Sequence, residues 1–489
     1  MNELSSIVGL IGPPPKTMAI KRLPDIVQRH RSPVNDENAI GDPKVISLLA
    51  KWEKPSKLKH KCYIGTGNVD AVIKVLKSRE SWMFVENMSD PKLQFIWKQT
   101  NSGINFNLYS NQTAESSKTV NHFEFHTEVS QKDQLLRNFT KYCEANKLDV
   151  FEYLPPSFEL KVDHKNINNT KEGVRILFEI VSRSQPNTEV FLEAELKRQS
   201  EAGIIKLAEA RQKLGLLFEG TNELKRIGSC MNKGTNMWIM KPNDCNRGIG
   251  IELISSSADF LKVLGAIEAK VKQSRVFGAP PRKILMQKYI ESPLLVHGRK
   301  FDIRMWVLLD SFQNVYIFPE GYLRLSSEKY SLEDQNKYIH LTNNAIQLNS
   351  ANYGKFERGN QMSFEDLRSY LRQEKNQKVK FDEIVYPRMM QLIKMAFASA
   401  ANSINANRRE KCFELFGIDF MIDLQGVVWL IEINTNPCLA LSSPLLESLI
   451  PRMLDDCFKI VLDPIFPPAT TRPFHIPSYP DDRILWRRL

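Results

Sequence analysis

The sequence predicts a mixed α/β fold in which helices are interleaved with strand pairs. Apolar residues recur at helical spacing over residues 260–271 and 385–404, and strand-like stretches lie between them. Alternating apolar residues also flank two turns, one at Gly248 to Gly250 and one at Gln425-Gly426, as in antiparallel hairpins. Helices and strands that alternate along one chain in this way are typical of an α/β architecture.

The composition is that of a chain with sizeable cores. Its 489 residues are 42% hydrophobic, which is enough material for two or three domains. No stretch is apolar enough to span a bilayer, and the start at Met1 lacks the features of a secretion signal. The seven cysteines are scattered without Cys-x-x-Cys pairs, so neither a disulfide framework nor a zinc site is predicted. These features favour a reducing cytoplasm and no membrane partner.

The charge balance favours an anionic partner. Lys and Arg outnumber Asp and Glu by 67 to 56, which gives a formal net charge of +11. The basic residues form no dense block, and neither an RNA-binding aromatic pattern nor a zinc finger is present. Charge alone leaves nucleic acid and an acidic protein surface open.

Five segments are predicted along the chain. The first is proline-rich with few periodic apolar stretches, which is typical of a flexible arm. The predicted segments are a flexible arm at 1–60, a small N-terminal α/β lobe at 61–118, a central domain at 119–292 with a helical insertion near 165–225, a C-terminal domain at 293–467 and a tail at 468–489.

Two amphipathic helices are predicted in the central segment. Ser130 and Asp133 are spaced as a capping box before a helix that runs to Ala145, which places Lys132 in its first turn. A longer helix is predicted from Leu192 to Phe218. We expect this helix to pack against the protein and not to bind a partner.

The hairpin near the C-terminus carries acidic side chains at matched positions. If Gln425 and Gly426 form a two-residue turn, the register places Asp419 opposite Glu432, with Asn434 on the same face. Two opposed carboxylates about 5 Å apart repel each other unless a cation lies between them, and three oxygen ligands suit Mg²⁺. In the alternative reading, Asp419 caps a turn and Glu432 lies at a solvated sheet end.

A second hairpin has the chemistry of a phosphate-binding loop. Lys241 and Arg247 bring positive charge, while Gly248 and Gly250 allow backbone amides to approach an anion closely. The spacing fits neither a Walker A loop nor a dinucleotide-binding fingerprint, because both of those motifs open a helix. An ordinary tight turn is the alternative.

The strands that follow add groups suited to a nucleotide. Residues 287–290 end a strand whose backbone and apolar side chains fit the edge of an adenine ring. Asp302 and Arg304 share one face of the next strand, about 7 Å apart, which suits a ribose acceptor beside a phosphate donor. A surface ion pair would explain the same two residues. Arg324 and Asn343 add a cation and an amide, and the order of these segments is similar to that of ATP-grasp enzymes.

Together these segments resemble the tubulin tyrosine ligase-like family of ATP-grasp ligases over about residues 119–465. The resemblance implies a fold in which antiparallel sheets clamp ATP, and a reaction that uses ATP and Mg²⁺ to join an amino acid to a tubulin-tail carboxylate through an acyl-phosphate. The residues that carry it are Asn121-His122-Phe123, Lys241-Pro242 with Arg247-Gly248-x-Gly250, Gln287-Lys-Tyr-Ile290, Lys300-Phe-Asp302-Ile-Arg304, His340-Leu-Thr-Asn343, Gly417-x-Asp419-Phe420 and Glu432-Ile-Asn434-x-Asn436-Pro437.

The resemblance also implies roles for individual residues. Three negative centres converge in such a transition state, which fixed cations stabilise without reorganising. The implied positions are Lys241 at the ATP phosphates, Gln287, Lys288, Tyr289 and Ile290 beside adenine, Lys300 and Asp302 at purine and ribose, Arg304, Arg324 and Asn343 at the γ-phosphate and acyl-phosphate, and Asp419, Glu432 and Asn434 at magnesium. Lys132 is a further implied catalytic residue, without a stated position.

The resemblance leaves tyrosine, glutamate and glycine open as the amino acid that is added. Residues 298–304, 352–357 and 359–362 look like the tyrosine-adding founder of the family, whereas residues 343–347 are similar to glycine-adding members. Lys241-Pro242 with Arg247, and residues 434–437, are shared with branches that add glutamate or glycine.

The expected partners are tubulin or microtubules and a free amino acid, without nucleic acid or membrane. The expected location is the cytoplasm and cytoskeleton, with the cilium or basal body as a further alternative. Two other functions stay open. One is a catalytically silent microtubule-binding module, and the other is a ligase that acts on a different acidic protein.

Overall fold

A computed structural model gives the fold of the part of the chain that can be described. This part comprises residues 60–110, 117–162, 167–182, 192–203, 206, 208–210, 212, 237–243, 248, 250–273, 282–374, 379–470, 473–477 and 479–489. The predicted N-terminal arm before His60, and Arg247 in the glycine hairpin, lie outside these residues.

An N-terminal lobe is built on a parallel sheet with the strand order β2-β1-β3-β4. Helix α1 connects β1 to β2, and its buried face, which includes Val72 and Leu76, joins a hydrophobic cluster shared with the C-terminal helix. Parallel neighbours require a crossover of this kind. The elements are β1 (His60–Ile64), α1 (Asp70–Lys77), β2 (Trp82–Val85), β3 (Leu93–Trp97) and β4 (Thr119–Val120).

A four-stranded antiparallel sheet follows, with the order β5-β8-β6-β7. The glycine hairpin predicted from the sequence is confirmed as β6 and β7, although its second strand begins at Glu252 and not at Ile249. The elements are α2 (Thr127–Ser130), α3 (Lys132–Ala145), β5 (Ser157–Val162), α4 (Ile167–Ser182), α5 (Leu192–Glu201), β6 (Trp238–Pro242), β7 (Glu252–Ile254), α6 (Ser257–Gln273) and β8 (Arg282–Lys288).

The largest sheet has the order β12-β11-β10-β13-β14, with β9 on β10 and β15 on β11. The predicted helix of residues 385–404 is confirmed as α10. The elements are β9 (Leu295–Val296), β10 (Arg299–Leu309), β11 (Val315–Lys329), α7 (Lys337–His340), α8 (Asn344–Gln347), β12 (Gln361–Ser363), α9 (Phe364–Gln373), α10 (Tyr386–Ala400), β13 (Glu414–Ile422), β14 (Val428–Thr435), α11 (Pro444–Val461) and β15 (Arg487–Arg488).

Strand β10 lies at the centre of this sheet and is buried along its whole length. Its residues alternate as predicted: Phe301 and Ile303 belong to one hydrophobic cluster, whereas Trp306 and Leu308 belong to another on the opposite face. Helix α10 covers the first face and helix α11 covers the second. The sheet is therefore a middle layer, which confirms the predicted mixed α/β fold with antiparallel parts.

Two predictions about helix ends are wrong. Ser130 does not cap α3, because its hydroxyl donates to the His126 carbonyl and α3 begins after Gln131, which makes no side-chain cap. The continuous helix predicted from Leu192 to Phe218 is interrupted: α5 ends at Glu201, where Gly203 takes a positive φ of 70°, and residues 208–210 are helical again. Residues 213–218 lie outside the described part of the chain. Lys132 lies in the first turn of α3, as expected.

Among the helices of the described residues, none combines the length and the apolarity that crossing a bilayer requires.

Candidate active site

The C-terminal hairpin places Asp419 directly opposite Glu432, as predicted, but by a different route. The predicted two-residue turn is wrong, because Asp423 and Val427 close a loop of three residues that ends at Gly426, with φ 86°. This longer turn alone would shift the register by one residue. A β-bulge opposite Asp419 and Phe420 shifts it back, so the predicted pairing is recovered.

Charged side chains lie next to one another on four neighbouring strands at this level of the sheet. Arg324 of β11 pairs with Asp302 of β10, two residues from Arg304 on the same strand. Arg304 is in turn opposite Asp419 of β13, which is opposite Glu432 of β14. Residues directly opposite each other have side chains close enough to interact, so the register alone brings these five groups together.

Asp419 is held by two arginines. Arg304 donates from Nη2 to Oδ2 of Asp419 over 3.1 Å, and Arg324 donates from Nη2 to the same oxygen over 2.7 Å. Burial alone would raise the pKa of Asp419, but the two guanidiniums outweigh burial and hold that pKa well below its usual range. The carboxylate is therefore ionised at neutral pH.

The two arginines change the electrostatic balance that the sequence predicted for the opposed carboxylates. Repulsion between Asp419 and Glu432 was expected to require a metal ion, yet Arg304 and Arg324 already supply positive charge beside Asp419. Repulsion by itself therefore does not demand a metal. Asn434 does share the face of the two carboxylates, since its Nδ2 lies 3.3 Å from Asp419 Oδ2 and 3.1 Å from Glu432 Oε1.

Asp302 is held by Arg324 in a two-pronged contact. Arg324 donates from Nε over 2.6 Å and from Nη2 over 2.8 Å to the two carboxylate oxygens. The hydroxyl of Thr342 also donates to Asp302. Thr342 was not among the predicted site residues, although it stands next to Asn343, which was.

Lys241 and Gln287 meet on the central sheet. Lys241 donates from Nζ to Oε1 of Gln287 over 2.7 Å, and Gln287 donates from Nε2 to Ser157 over 3.1 Å. Burial lowers the pKa of Lys241 to about 8, although Glu432, Asp419 and Asp302 partly oppose this shift. These carboxylates belong to the large sheet, so the lysine is electrostatically coupled to the metal-site candidates.

Lys300 is also buried, and the contacts described for it are all with neutral groups. It donates to the Tyr289 hydroxyl over 3.0 Å and to the His340 carbonyl over 2.7 Å, and it lies over the Tyr289 ring. Burial lowers its pKa to about 7, with Asp302 opposing the shift. A buried ammonium surrounded by neutral groups is costly unless an anion accompanies it.

The glycine hairpin reaches the large sheet. Gly248 has φ 78°, and a Cβ added there would lie 2.5 Å from Ile346 and 3.3 Å from the Asn343 side-chain oxygen. Only a residue without a side chain allows this close approach. The hairpin tip is therefore next to Asn343.

Lys288 and Ile290, the other two residues of the predicted adenine edge, are half-buried, whereas Gln287 and Tyr289 are buried. Lys288 points to the other side of β8, where it donates to the Met237 carbonyl over 3.1 Å and pairs with Glu291. The structure therefore does not bring the Lys288 side chain to the other site residues. Ile290 follows the end of β8 and is half-buried.

A cavity joins the first turn of α3 to both sheets. Lys132, Gln287 and Glu432 line it together with apolar residues that include Leu135, Leu285 and Ile431. Ile431 is the extra residue of the bulge in β14. The cavity is therefore lined by charged and polar groups as well as by aliphatic side chains.

We call the charged residues gathered here the site cluster. They come from α3, from the central sheet and from four strands of the large sheet. The site cluster consists of Lys132, Lys241, Lys300, Arg304, Arg324, Asp302, Asp419 and Glu432.

The sequence matches a family model described as the tubulin-tyrosine ligase family over residues 110–471. The chain belongs to this family. The match covers most of the chain, including every residue of the site cluster, and it confirms the resemblance inferred from the motifs. The mixed α/β structure with several antiparallel sheets agrees with the ATP-grasp-like fold of the tubulin-tyrosine ligase family.

Similar proteins in this family include several whose names describe glycine addition. Tubulin glycylase 3B of Tetrahymena thermophila is 33% identical over 236 residues, which cover 48% of this chain and 19% of that protein. Tubulin glycylase 3A of Drosophila melanogaster is 36% identical over 233 residues, 47% of this chain and 22% of that protein. Protein monoglycylase TTLL8 of Mus musculus is 32% identical over 236 residues, 47% of this chain and 27% of that protein. The matches thus span about half of this chain and less than a third of each of these relatives.

Proposed function

We propose that this chain is an ATP- and Mg²⁺-dependent ligase that joins glycine to carboxylates of the acidic tails of tubulin through an acyl-phosphate. Membership of the tubulin-tyrosine ligase family supports the reaction class. The names of the similar glycylases support glycine among the three amino acids that the motifs left open. A cytoplasmic, cytoskeletal location follows from this substrate.

The observation that carries the ligase proposal is the charge imbalance of the site cluster. Its buried members are four basic residues, Lys241, Lys300, Arg304 and Arg324, and two carboxylates, Asp302 and Asp419, so the buried basic residues outnumber the buried carboxylates by two. Unbalanced charge that is withdrawn from water is unfavourable. An anionic ligand such as the polyphosphate of ATP would restore the balance.

The two buried lysines fit such a ligand. Lys241 and Lys300 are each only 4% exposed, and burial brings their pKa values to about 8 and about 7. A phosphate group beside them would favour the protonated form and raise both pKa values again. With the phosphate bound, both lysines are protonated and act as fixed hydrogen-bond donors to it.

Asp419, Glu432 and Asn434 have the donor chemistry for Mg²⁺. They offer two carboxylates and one amide on a single face, and Mg²⁺ takes its remaining ligands from water and substrate phosphates. In the part of the chain that is described, no group of three or more His, Cys, Asp or Glu residues is arranged to hold a metal. When bound, the ion would neutralise charge on the phosphates during transfer.

The side chains of this protein would bind and orient the reacting groups. In the proposed reaction, an oxygen of the acceptor carboxylate attacks the γ-phosphorus and ADP leaves; the glycine amine then attacks the acyl carbon, loses a proton and displaces phosphate. Arg304 and Arg324 are fixed by Asp302 and Asp419, so their guanidiniums stay in place as charge develops. No side-chain nucleophile is needed.

The test is to incubate the purified protein with ATP, Mg²⁺ and tubulin, with labelled glycine, glutamate and tyrosine in parallel reactions. We expect glycine to enter tubulin only when both ATP and Mg²⁺ are present. Tubulin whose acidic tails have been removed by limited proteolysis is the matched control and should stay unlabelled.

Each other outcome identifies an alternative. Incorporation of glutamate or tyrosine would retain the ligase and replace the amino acid. Labelling of another acidic protein, but not of tubulin, would replace the acceptor. No incorporation, with normal binding to microtubules, would overturn the proposal in favour of a catalytically silent docking module.

A further inference from the structure

The motif Asn121-His122-Phe123 lies outside the site cluster, and its three residues are buried. The Asn121 side chain accepts from the Lys98 backbone amide over 2.9 Å and donates to the Lys98 carbonyl over 2.8 Å. In this way it continues the pairing of the N-terminal sheet beyond β3. The motif therefore fixes the end of β3 in the N-terminal lobe.

His122 connects this lobe to the large sheet. Its Nε2 lies 2.9 Å from the Lys98 carbonyl, and its Nδ1 lies 2.8 Å from Oε1 of Glu414, the first residue of β13. Both neighbours are hydrogen-bond acceptors, so the doubly protonated ring satisfies both contacts. The side chains of His122 and Glu414 are fully buried.

Glu414 accepts further bonds that favour its ionised form. The Phe123 backbone amide donates to Oε2 over 2.8 Å, and the Thr435 hydroxyl donates to Oε1. Burial alone would raise the pKa of Glu414, but His122 and these donors bring it below its ordinary value. Burial alone would lower the pKa of His122, but Glu414 raises it. The two residues form a buried ion pair.

Thr435 brings this network to the edge of the candidate active site. It is the last residue of β14 and follows Asn434, whose amide lies against Asp419 and Glu432. Successive residues of a strand point to opposite faces. Thr435 and Glu414 therefore lie on the face of the sheet that α10 covers, while Asn434 points to the opposite face, where the site cluster lies. Asn436 then turns the chain with φ 44°.

We propose that His122 and Glu414 are positioning residues that hold Thr435, and with it the Asn434 amide, in the geometry that Mg²⁺ binding requires. The inference rests on the proposed function of the same site. Neither residue touches the site cluster in the contacts described, so their effect passes through the backbone at the end of β14. Partners that orient metal ligands in this way typically change metal affinity about ten-fold or more when they are lost.

The test measures Mg²⁺-dependent nucleotide binding, a readout that does not depend on catalysis. Fluorescent trinitrophenyl-ATP is titrated with Mg²⁺ in the wild-type protein and in Glu414→Gln, with a melting curve for each. A glutamine carries no charge and offers one acceptor oxygen where Glu414 offers two, so the ion pair with His122 is lost and the hydrogen bond from Thr435 loses its charged acceptor. We expect the Mg²⁺ concentration at half-maximal binding to rise about ten-fold.

Thr435→Val removes only the hydroxyl and covers the case in which Glu414→Gln fails to fold. We expect a rise in the required Mg²⁺ concentration in the same direction, and no further rise when Thr435→Val is added to Glu414→Gln, because both act through one contact. The matched control is Asp455→Asn, which neutralises a carboxylate buried against Arg79. This variant should leave the Mg²⁺ requirement unchanged.

Two results would overturn the inference, and they are distinguishable. If Glu414→Gln and Thr435→Val lower the melting temperature as Asp455→Asn does but keep the wild-type Mg²⁺ requirement, the contact is structural only. If the wild-type protein itself shows no Mg²⁺-dependent nucleotide binding, the proposed function fails, and the inference fails with it.

Discussion

Two clusters of buried charge in this protein differ in whether their charges cancel. The buried members of the site cluster are four basic residues and two carboxylates. The other lies where the N-terminal lobe meets α11, and we call it the anchor cluster. Its buried and half-buried members are three cations and three carboxylates, namely Arg79, Arg452 and Lys459 with Asp455, Asp456 and Asp463, and the exposed Asp481 also pairs with Arg452.

The contacts within the two clusters show the same difference. In the anchor cluster, Arg79 lies 2.8 Å from both Asp455 and Asp463, and Lys459 lies 2.8 Å from both Asp455 and Asp456. In the site cluster, by contrast, Lys241 and Lys300 donate to an amide, a hydroxyl and a carbonyl. The balanced cluster therefore holds elements together, whereas the unbalanced cluster is the one for which we propose an anionic ligand.

The largest effect is expected from breaking the balance of the anchor cluster. Arg79→Leu would leave Asp455 and Asp463 buried without their guanidinium, and we expect a loss of about 3–5 kcal/mol in the free energy of unfolding. Urea denaturation measures this loss. The molecules that stay folded should keep their ligase activity, and a destabilisation below about 1 kcal/mol would contradict the structural role.

In the site cluster, the expected effect is on activity and not on stability. Glu432→Gln keeps the shape of the side chain but removes one of the two carboxylates proposed for Mg²⁺. We expect ATP-dependent labelling of tubulin to fall about 100-fold or more, with the melting temperature nearly unchanged. Undiminished labelling by this variant would show that the metal-site assignment is wrong.

A smaller effect should come from disturbing the placement of one arginine. A Cβ added at Gly417 would lie 2.8 Å from Pro437 and 3.1 Å from both Cδ and Nη1 of Arg304. Gly417→Ala should therefore displace Arg304 and lower kcat for the proposed ligation about ten-fold, because the role proposed for Arg304 depends on its exact placement.

Gly265→Ala is the matched control for this substitution. Gly265 lies within α6, and a Cβ there would meet nothing within 4 Å, so we expect unchanged activity and a gain of about 0.5–1 kcal/mol in stability. Equal loss of activity in both variants would remove the argument for tight placement of Arg304.

The smallest expected effect is a proton taken up when nucleotide binds. At pH 8, Lys300 with a pKa of about 7 is mostly neutral, and Lys241 with a pKa of about 8 is half protonated. A bound polyphosphate raises both values, so binding should take up on the order of one proton. Calorimetry of ATP binding in two buffers of different ionisation enthalpy measures this uptake.

The same calorimetric measurement at pH 6 is the control. At pH 6 both lysines are already protonated in the free protein, so the uptake should disappear. Equal uptake at pH 6 and pH 8 would assign the proton to another group and remove the electrostatic argument for Lys241 and Lys300.

The opposition of Asp419 and Glu432 shows how far sequence reasoning reaches. Alternating apolar residues predicted the two strands, and the polar positions within them predicted which side chains share a face. The turn was wrong by one residue, and the bulge beside Asp419 that compensates for it has no sequence signal of its own. The pairing was thus predicted correctly although one step of its derivation was not.

Long-range contacts could not be predicted from the sequence, for a different reason. The ion pair between His122 and Glu414 joins residues almost 300 positions apart, and nothing local in either segment specifies the other. The same is true of the arginines that neutralise Asp419, since strand periodicity gives the face of a residue but not the neighbouring strand.

By itself, the sequence determined the family, the strands and helices that carry the motifs, and the chemical types of the site residues, because periodicity and spacing are local properties of the chain. Only the tertiary structure decided that Arg304 and Arg324 hold Asp419, that Lys288 points away from the site, and that His122 reaches the end of β14. These outcomes depend on the order of strands in the sheets and on which buried charges find partners, and both are settled only when distant segments pack together.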